Sequence, residues 1–327
     1  MSEFDLIELM RTRCALQRAD VRLGIGDDAA VVVPPGGHEL IVCTDTLVSG
    51  IHFPASTSAA DIGWKSLAVN LSDLAAMGAT PAWALLALTL PNADRDFVEA
   101  FCDGFAAMAA QHHVSLIGGD TTRGPLTITV TALGFVPTDK AVRRDGARIG
   151  DEVHVTGVLG DAAAGLQVMN GRPYAMDREA PSVAELRRSL LAKLNRPQPQ
   201  IAAGLALRGV ASACIDVSDG LLADLGHVAA ASAAAIEIES RHVPTSAALA
   251  TLYGTNDRIP LQLAGGDDYE LAFTVAPSRS AALTADLARI GCGSTRIGRV
   301  VAGTGVRALD SDGNDIAPKY QGWEHFS

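Results

Sequence analysis

The chain has 327 residues, of which 48% are hydrophobic and 19% charged, and carries a net charge of −11. That length exceeds one ordinary core and suits two domains of roughly 150 residues each. So acidic a chain is a poor match for nucleic acid or an anionic membrane, and it would hold an anionic substrate through bridging metal ions.

In chain order, residues 4–16 read as a helix, within an opening MSEFDLIELMRTRC that is acidic and amphipathic rather than basic and then apolar like a secretory leader. AAVVV and HELIVCTD read as strands from their β-branched content. Residues 59–77 repeat apolar positions at spacings of three and four and predict a helix, AWALLALTL a strand, and residues 94–112 a second helix of the same kind. VSLIGGD and LTITVTALGFV follow as strands. The first half is therefore β-β-α-β-α-β-β, an α/β domain with a mixed or antiparallel sheet.

The second half opens near RRDGARIGDEVHVTG, where EVHVTG reads as a strand and GDAAAGLQVM as a helix after a Gly-rich turn. Residues 182–193, 198–208 and 278–290 read as helices, as does DGLLADLGHVAAAS. ASACIDVS, AIEIES, YELAFTV, STRIGRVV and GVRALD read as strands. This is a second, α+β domain, and the boundary falls within residues 137–150, giving domains of 1–140 and 141–327. Residues 170–182, with Pro173 and Pro181, read as a surface loop. No uncharged apolar run reaches about 18 residues, so no transmembrane helix is expected. Five scattered cysteines without C-x-x-C spacing read as reduced thiols of a cytoplasmic protein.

The chemistry lies in the aspartates. Asp27 and Asp28 follow Gly26 in GIGDDAA, Asp45 ends the strand at CTDT, and Asp73 lies in the helix at NLSDLAAMGA. Asp120 ends LIGGDTTRG, Asp216 and Asp219 frame IDVSDG, and Asp267 and Asp268 sit in LAGGDDYE. Any one of them reads equally as a turn or cap residue. Together they exceed what capping needs, and Asn70 and Asp73, three apart, share a helix face. Carboxylates and hydroxyls (Thr44, Ser218) without clustered Cys or His suit Mg²⁺ rather than zinc. Mg²⁺ takes one or two carboxylates plus phosphate oxygens and water, so this many carboxylates implies several ions and a polyphosphate such as ATP.

No G-x-x-x-x-G-K-[ST] occurs, nor a protein-kinase H-R-D or D-F-G set, and GIGDDA opens into a strand rather than the helix of a dinucleotide fold. Arg123 and Arg144 offer bidentate donors for phosphate, or surface ion pairs. His52 lies seven residues beyond Asp45 and is either a site residue or a plain loop histidine. Trp323, in the terminal QGWEHFS, is either a packing anchor or a stacking platform for a flat ligand.

GIGDDAAVV, CTDTLVSGIHF, NLSDLAAMGATP, LIGGDTTRGP, DVSDGLLADL and GGDDYELAF, in that order, resemble the thiamine-monophosphate kinase family of the aminoimidazole-ribonucleotide-synthetase-like superfamily. The resemblance runs from about residue 22 to the closing GWEHF. It implies the superfamily's two-domain fold, with the N-terminal domain binding ATP and metal and forming a homodimer, and the C-terminal domain completing the nucleotide and substrate site. It implies phosphorylation of thiamine monophosphate by ATP to thiamine diphosphate, with Asp28, Thr44, Asp45, Asp73, Asp120, Asp216 and Asp219 holding several Mg²⁺ ions. Gly119, Asp120, Arg144 and Ser218 would contact ATP, and His52, Asp267 and Trp323 the thiamine phosphate. Catalysis would rest on Asp120, Arg144 and Asp219.

Two positions depart from the family pattern. Cys43 stands where a small hydroxyl residue is usual, and a thiol is a poor Mg²⁺ ligand, so that contact is assigned to backbone or water. Asp267 stands where Glu is common, keeping the charge with a shorter reach. Two other readings compete. One is another ATP-dependent enzyme of the superfamily, such as a selenophosphate synthetase, which would need a reactive Cys in a Gly-rich N-terminal segment. Cys14 instead falls in the helical MRTRCALQ. The other is a non-catalytic acidic module that binds divalent cations without consuming ATP.

Overall fold

The structure, a computed structural model, describes residues 3–171, 181–318 and 322–323. The chain divides into two compact units, Met1–Leu74 with Ala79–Lys140, and Ala75–Gly78 with Ala141–Ser327.

The first unit opens with helix α1 (Glu3–Cys14) and a small antiparallel hairpin, β1 (Val21–Leu23) with β2 (Val31–Val32). Next come β3 (His38–Val48), α2 (Ala59–Ala76), β4 (Thr80–Leu90), α3 (Arg95–Gln111), β5 (Ser115–Arg123) and β6 (Thr127–Pro137). The four long strands form one mixed sheet in the order β3-β6-β4-β5. Only the β4–β5 pair is parallel, and α3 supplies the crossover that a parallel pair needs.

α3 shows why these residues fold as they do. Asp94 caps its start by accepting the amides of Asp96 and Phe97 at 3.0 and 3.2 Å. Val98, Phe101, Cys102, Phe105, Met108 and Ala109 then recur every three or four residues and are all buried. Burying each such aromatic contributes about 2–3 kcal/mol. On β3 the period is two: Leu40, Val42, Thr44 and Thr46 are exposed, while Cys43, Asp45 and Leu47 are half-buried or buried on the other face. That second face lies against α2, since the Cys43 thiol donates to the Asn70 carbonyl at 3.3 Å.

The second unit contains β7 (Glu152–Thr156), α4 (Asp161–Met169), α5 (Pro181–Asn195), α6 (Ile201–Leu207), β8 (Ala213–Asp216), α7 (Leu221–Ala231) and β9 (Ala235–Glu239). It continues with α8 (Ala247–Leu252), α9 (Thr255–Ala264), β10 (Leu271–Val275), α10 (Pro277–Arg289), β11 (Ser294–Val301) and β12 (Gly305–Leu309). Six strands pair in the order β12-β9-β11-β7-β10-β8, antiparallel except for β12–β9. Val153, Val155, Ile215, Leu222, Leu225, Ile236 and Ile297 form its main core.

The mixed-sheet α/β and α+β units match the fold read from the sequence, with local corrections. AAVVV shrinks to the two residues of β2, because its only partner is β1, a strand the pattern did not reveal. α8 and α9 were not expected; α9 carries Pro260 inside it, which hid the pattern. Of the loop expected at 170–182, residues 172–180 lie outside the described residues, and Pro181 opens α5.

Candidate active site

In the first unit, Asp28 is exposed, and its amide donates to the Asp27 carboxylate at 2.8 Å, so Asp27 is the residue that holds the turn. Asp45 is fixed through its main chain: its amide donates to the Asn70 Oδ1 at 3.1 Å, and the Asn70 side-chain amide donates to the Ser66 carbonyl at 3.0 Å. Asp73, half-buried, lies three residues beyond Asn70 on α2 and so on the same face. The structure thus brings the Asp45 and Asp73 segments together, with the buried Asn70 as the link.

Thr44 is not part of this arrangement. Successive strand residues face opposite ways, and the Thr44 hydroxyl is bonded at 3.0 Å to both the Val130 carbonyl and the Thr131 hydroxyl on the exposed face. Its hydroxyl faces away from Asp45, contrary to the expectation that both side chains ligate one cluster. His52 accepts the Val48 amide on Nδ1 at 3.0 Å, which places the neutral ring's proton on Nε2. Buried Lys65, which the sequence reading passed over, lies 3.5 Å from the His52 carbonyl.

Gly119 and Asp120 are exposed on β5. Across the sheet, Asp45, Val130, Leu86 and Gly119 align in one row, and Thr46, Thr129, Ala87 and Asp120 in the next. β3 and β5 are the two edges of that sheet. Three inter-strand gaps of about 4.8 Å therefore put roughly 14 Å between the main chains at Asp45 and Asp120. One chain by itself does not bring these two carboxylates onto one ion.

In the second unit the assembly is tighter. β8 ends at buried Asp216, and a turn carries Ser218 and Asp219 into α7. The Asp267 amide donates to the Ser218 carbonyl at 2.8 Å, and the Trp323 amide to the Asp219 carbonyl at 3.0 Å. Ser218, Asp219, Asp267 and Trp323 are therefore neighbours. The Trp323 side chain is 54% exposed, so its face is open to a ligand. Asp267 and Tyr269 both adopt positive φ, 70° and 51°, and the Tyr269 hydroxyl donates to the Asp267 carboxylate at 3.1 Å. Two non-glycine residues held in this region two positions apart amount to backbone strain of the kind that clusters at ligand sites.

Asp268, between them, turns the other way and is buried, accepting the Gly160 amide at 2.7 Å at the start of α4. Burial pushes its carboxyl well above the usual carboxylate range. Burial likewise raises Glu270, whose carboxylate accepts the Thr156 hydroxyl at 2.7 Å. Arg144 is exposed and makes no ion pair among the described residues, whereas its neighbour Arg143 is committed to Asp145 at 2.6 Å.

Asp224 was missed. It lies on an otherwise apolar helix face, and its Oδ2 accepts the amides of Ser218, Asp219 and Gly220 at 3.0, 3.1 and 3.1 Å. Burial first, then the charges of Asp216 and Asp219, push its carboxyl up to about 8, against the pull of the Gly220 and Asp219 amides. Because the folded value lies above the unfolded one of about 3.9, its contribution to stability is full below pH ~4 and is lost as pH rises through ~8. Asp224→Asn in metal-free buffer is therefore expected to raise the melting temperature slightly at pH 5 and by about 10 °C at pH 8. Thermal melts at the two pH values check this; an equal shift at both would contradict it.

The donor set fits a hard ion. It consists of oxygen donors, and among the described residues no three His, Cys, Asp or Glu side chains stand close enough to hold a metal by themselves. Such a set suits Mg²⁺, which completes its shell with phosphate oxygens and water, and does not suit zinc.

Comparison with known proteins fits this picture. Residues 26–136 match the family of AIR synthase related proteins in its N-terminal domain and residues 148–311 in its C-terminal domain, so the chain belongs to that family. It is 42% identical over 325 residues to the thiamine-monophosphate kinase of Escherichia coli (strain K12), covering 99% of this chain and 98% of that one. Within the family it belongs with the thiamine-monophosphate kinases. The crystal structure of thiamine-monophosphate kinase from Stenotrophomonas maltophilia K279a superposes with a TM-score of 0.87 at 50% identity, covering 96% of this chain and 98% of that one. AaThiL, complexed with AMPPCP and TMP, superposes with a TM-score of 0.77 at 34% identity, covering 99% and 97% of the two chains.

Proposed function

We propose that this chain transfers the γ-phosphoryl group of ATP to the phosphate of thiamine monophosphate, giving ADP and thiamine diphosphate for thiamine biosynthesis. The observation that carries the reading is the meeting of Asp267 and the exposed Trp323 ring at the Ser218–Asp219 turn, in a chain that matches thiamine-monophosphate kinases over its whole length. A carboxylate and an indole face recognise a flat cationic ring such as thiazolium, which most phosphate acceptors lack.

The acceptor is a phosphate oxygen, already anionic at neutral pH, so no general base is required. What the protein must do is align two polyanions that repel each other and an acidic chain. Asp45 and Asp73 in the first unit and Asp216 and Asp219 in the second would hold Mg²⁺, with Asp28 and Asp120 as further ligands. When bound, Mg²⁺ supplies the positive charge that neutralises the transferring phosphoryl group. Arg144, not engaged in an ion pair among the described residues, adds a fixed cation for the nucleotide, and Gly119 and Ser218 contact it through main chain and hydroxyl. His52 offers its Nε2 proton to the thiamine phosphate.

The chain acts as a homodimer in this reading. Leu40, Val42 and Leu85, 45%, 55% and 37% exposed, lie on the open face of the first unit's sheet among Thr44, Thr46, Thr129 and Thr131, a surface suited to a second copy. We place it in the cytoplasm because its five cysteines form no disulfide in the structure; separately, no described helix is long and apolar enough to cross a membrane. A selenophosphate synthetase would need a reactive thiol, and Cys14 is buried on α1 with its thiol pushed up by its hydrogen bond with Cys102 and by burial.

The test is ADP release with thiamine monophosphate as acceptor. EDTA is expected to abolish it, Mg²⁺ in excess to restore it, and Zn²⁺ to leave it lost. Turnover that persists in EDTA would overturn the role given to the aspartates.

A further inference from the structure

The N-terminus of α7 looks at first like an anion site, since a helix of eleven residues begins there at a glycine with no side chain to cap it. Its first donors are nevertheless taken. The single Oδ2 atom of Asp224, a residue only 3% exposed, accepts three consecutive amides, those of Ser218, Asp219 and Gly220, at 3.0 to 3.1 Å. A cap ordinarily comes from the residue that precedes the helix; here it reaches back from inside the first turn. The carbonyls of the same turn are also bound, Ser218 by the Asp267 amide and Asp219 by the Trp323 amide. Gly220, at φ 133°, has the backbone of Ala264 2.9 Å from where a Cβ would be, so the chain passes too close there for any other residue.

We propose that Asp224 is the positioning residue of the kinase site: it takes the three amides for itself, so that the turn meets the metal–nucleotide through the side chains of Ser218 and Asp219 and not through its N–H groups. The turn is thereby a cation site built on a helix N-terminus, the reverse of a P-loop, where the amides cradle phosphate. This rests on the reading that Asp216 and Asp219 bind metal with the nucleotide. Asp224 itself acts through the main chain of that turn and touches neither metal nor substrate.

The experiment compares wild type, Asp224→Ala and Asp224→Asn, each checked for folding by circular dichroism, by electron paramagnetic resonance titration of Mn²⁺ with AMPPCP present. Steady-state kinetics are run in parallel. Loss of an outer support typically costs 10–100-fold in metal affinity, so Asp224→Ala is expected to weaken Mn²⁺ binding by at least about tenfold. It should lower kcat and leave the KM for thiamine monophosphate within about twofold. Asp224→Asn, whose amide oxygen can accept the same three N–H groups, is expected to recover binding to within about threefold of wild type. Wild-type Mn²⁺ affinity in a folded Asp224→Ala overturns the proposal, as does an Asp224→Asn as weak as Asp224→Ala, because the carboxylate charge would then be acting directly. If Asp224→Ala does not fold, Asp224→Asn alone decides on the same criterion. A wild type that binds Mn²⁺ and AMPPCP but never phosphorylates thiamine monophosphate defeats the proposed function and leaves this inference standing.

Discussion

Asp73→Asn and Asp219→Asn are each expected to lower kcat by about a hundred- to a thousandfold, the scale of losing one preorganised charge from a phosphoryl-transfer site. The substitution keeps the shape and one acceptor oxygen, removes the negative charge and replaces the second oxygen with an NH₂ donor. Asp219 is held by its amide on Asp224 and its carbonyl on the Trp323 amide. Asp73 lies in the last turn of α2, where its amide is within the helix. A coupled ADP assay with thiamine monophosphate reads the effect. Near-normal turnover in both variants would remove the carboxylates from the mechanism.

Gly119→Ala is expected to destabilise the protein by about 4 kcal/mol, a fall of roughly 10 °C in melting temperature. The resemblance assigns Gly119 to nucleotide contact, but the sheet demands glycine there on its own account. Its φ is 151°, and a Cβ would lie 1.8 Å from the Leu86 carbonyl oxygen and 2.6 Å from its carbon. Those are backbone atoms of β4 in register with Gly119 across the parallel ladder, so no rotamer change relieves the clash. Calorimetry of the variant tests this; a melting temperature within about 2 °C of wild type would mean that the β4–β5 pairing yields.

The candidate site was read from aspartates beside glycines and at the ends of apolar runs; in the structure β3 and β5 continue three residues beyond Asp45 and Asp120, whereas Asp216 does close β8. Asp45 in CTDT and Asp216 and Asp219 around IDVSDG were picked out in this way as candidate ligands, and the structure places Asp267 and Trp323 against the latter turn. What local pattern does not encode is strand order. In sequence β3 and β5 look alike as apolar runs leading to an aspartate, yet they form opposite edges of one sheet, so Asp45 and Asp120 are kept apart. Side-chain alternation had the same consequence for Thr44, adjacent to Asp45 in sequence and opposite to it in space.

The supporting residues were harder to see. Asp224 and Asp268 are buried acids, and their use as backbone acceptors depends on which turn folds onto them. A carboxylate on the apolar stripe of DGLLADL was the available clue, since an unpaired charge would be costly there. Tyr269 lies in the expected strand YELAFTV, but its positive φ sets it outside β10 and turns its hydroxyl to Asp267.

The most direct test of the proposed reaction is transfer of label from γ-³²P-ATP in the presence of Mg²⁺ and thiamine monophosphate. The account predicts one labelled thiamine diphosphate for each ADP formed, and almost no ADP when thiamine monophosphate is withheld. Release of labelled inorganic phosphate at the same rate with and without thiamine monophosphate would contradict it.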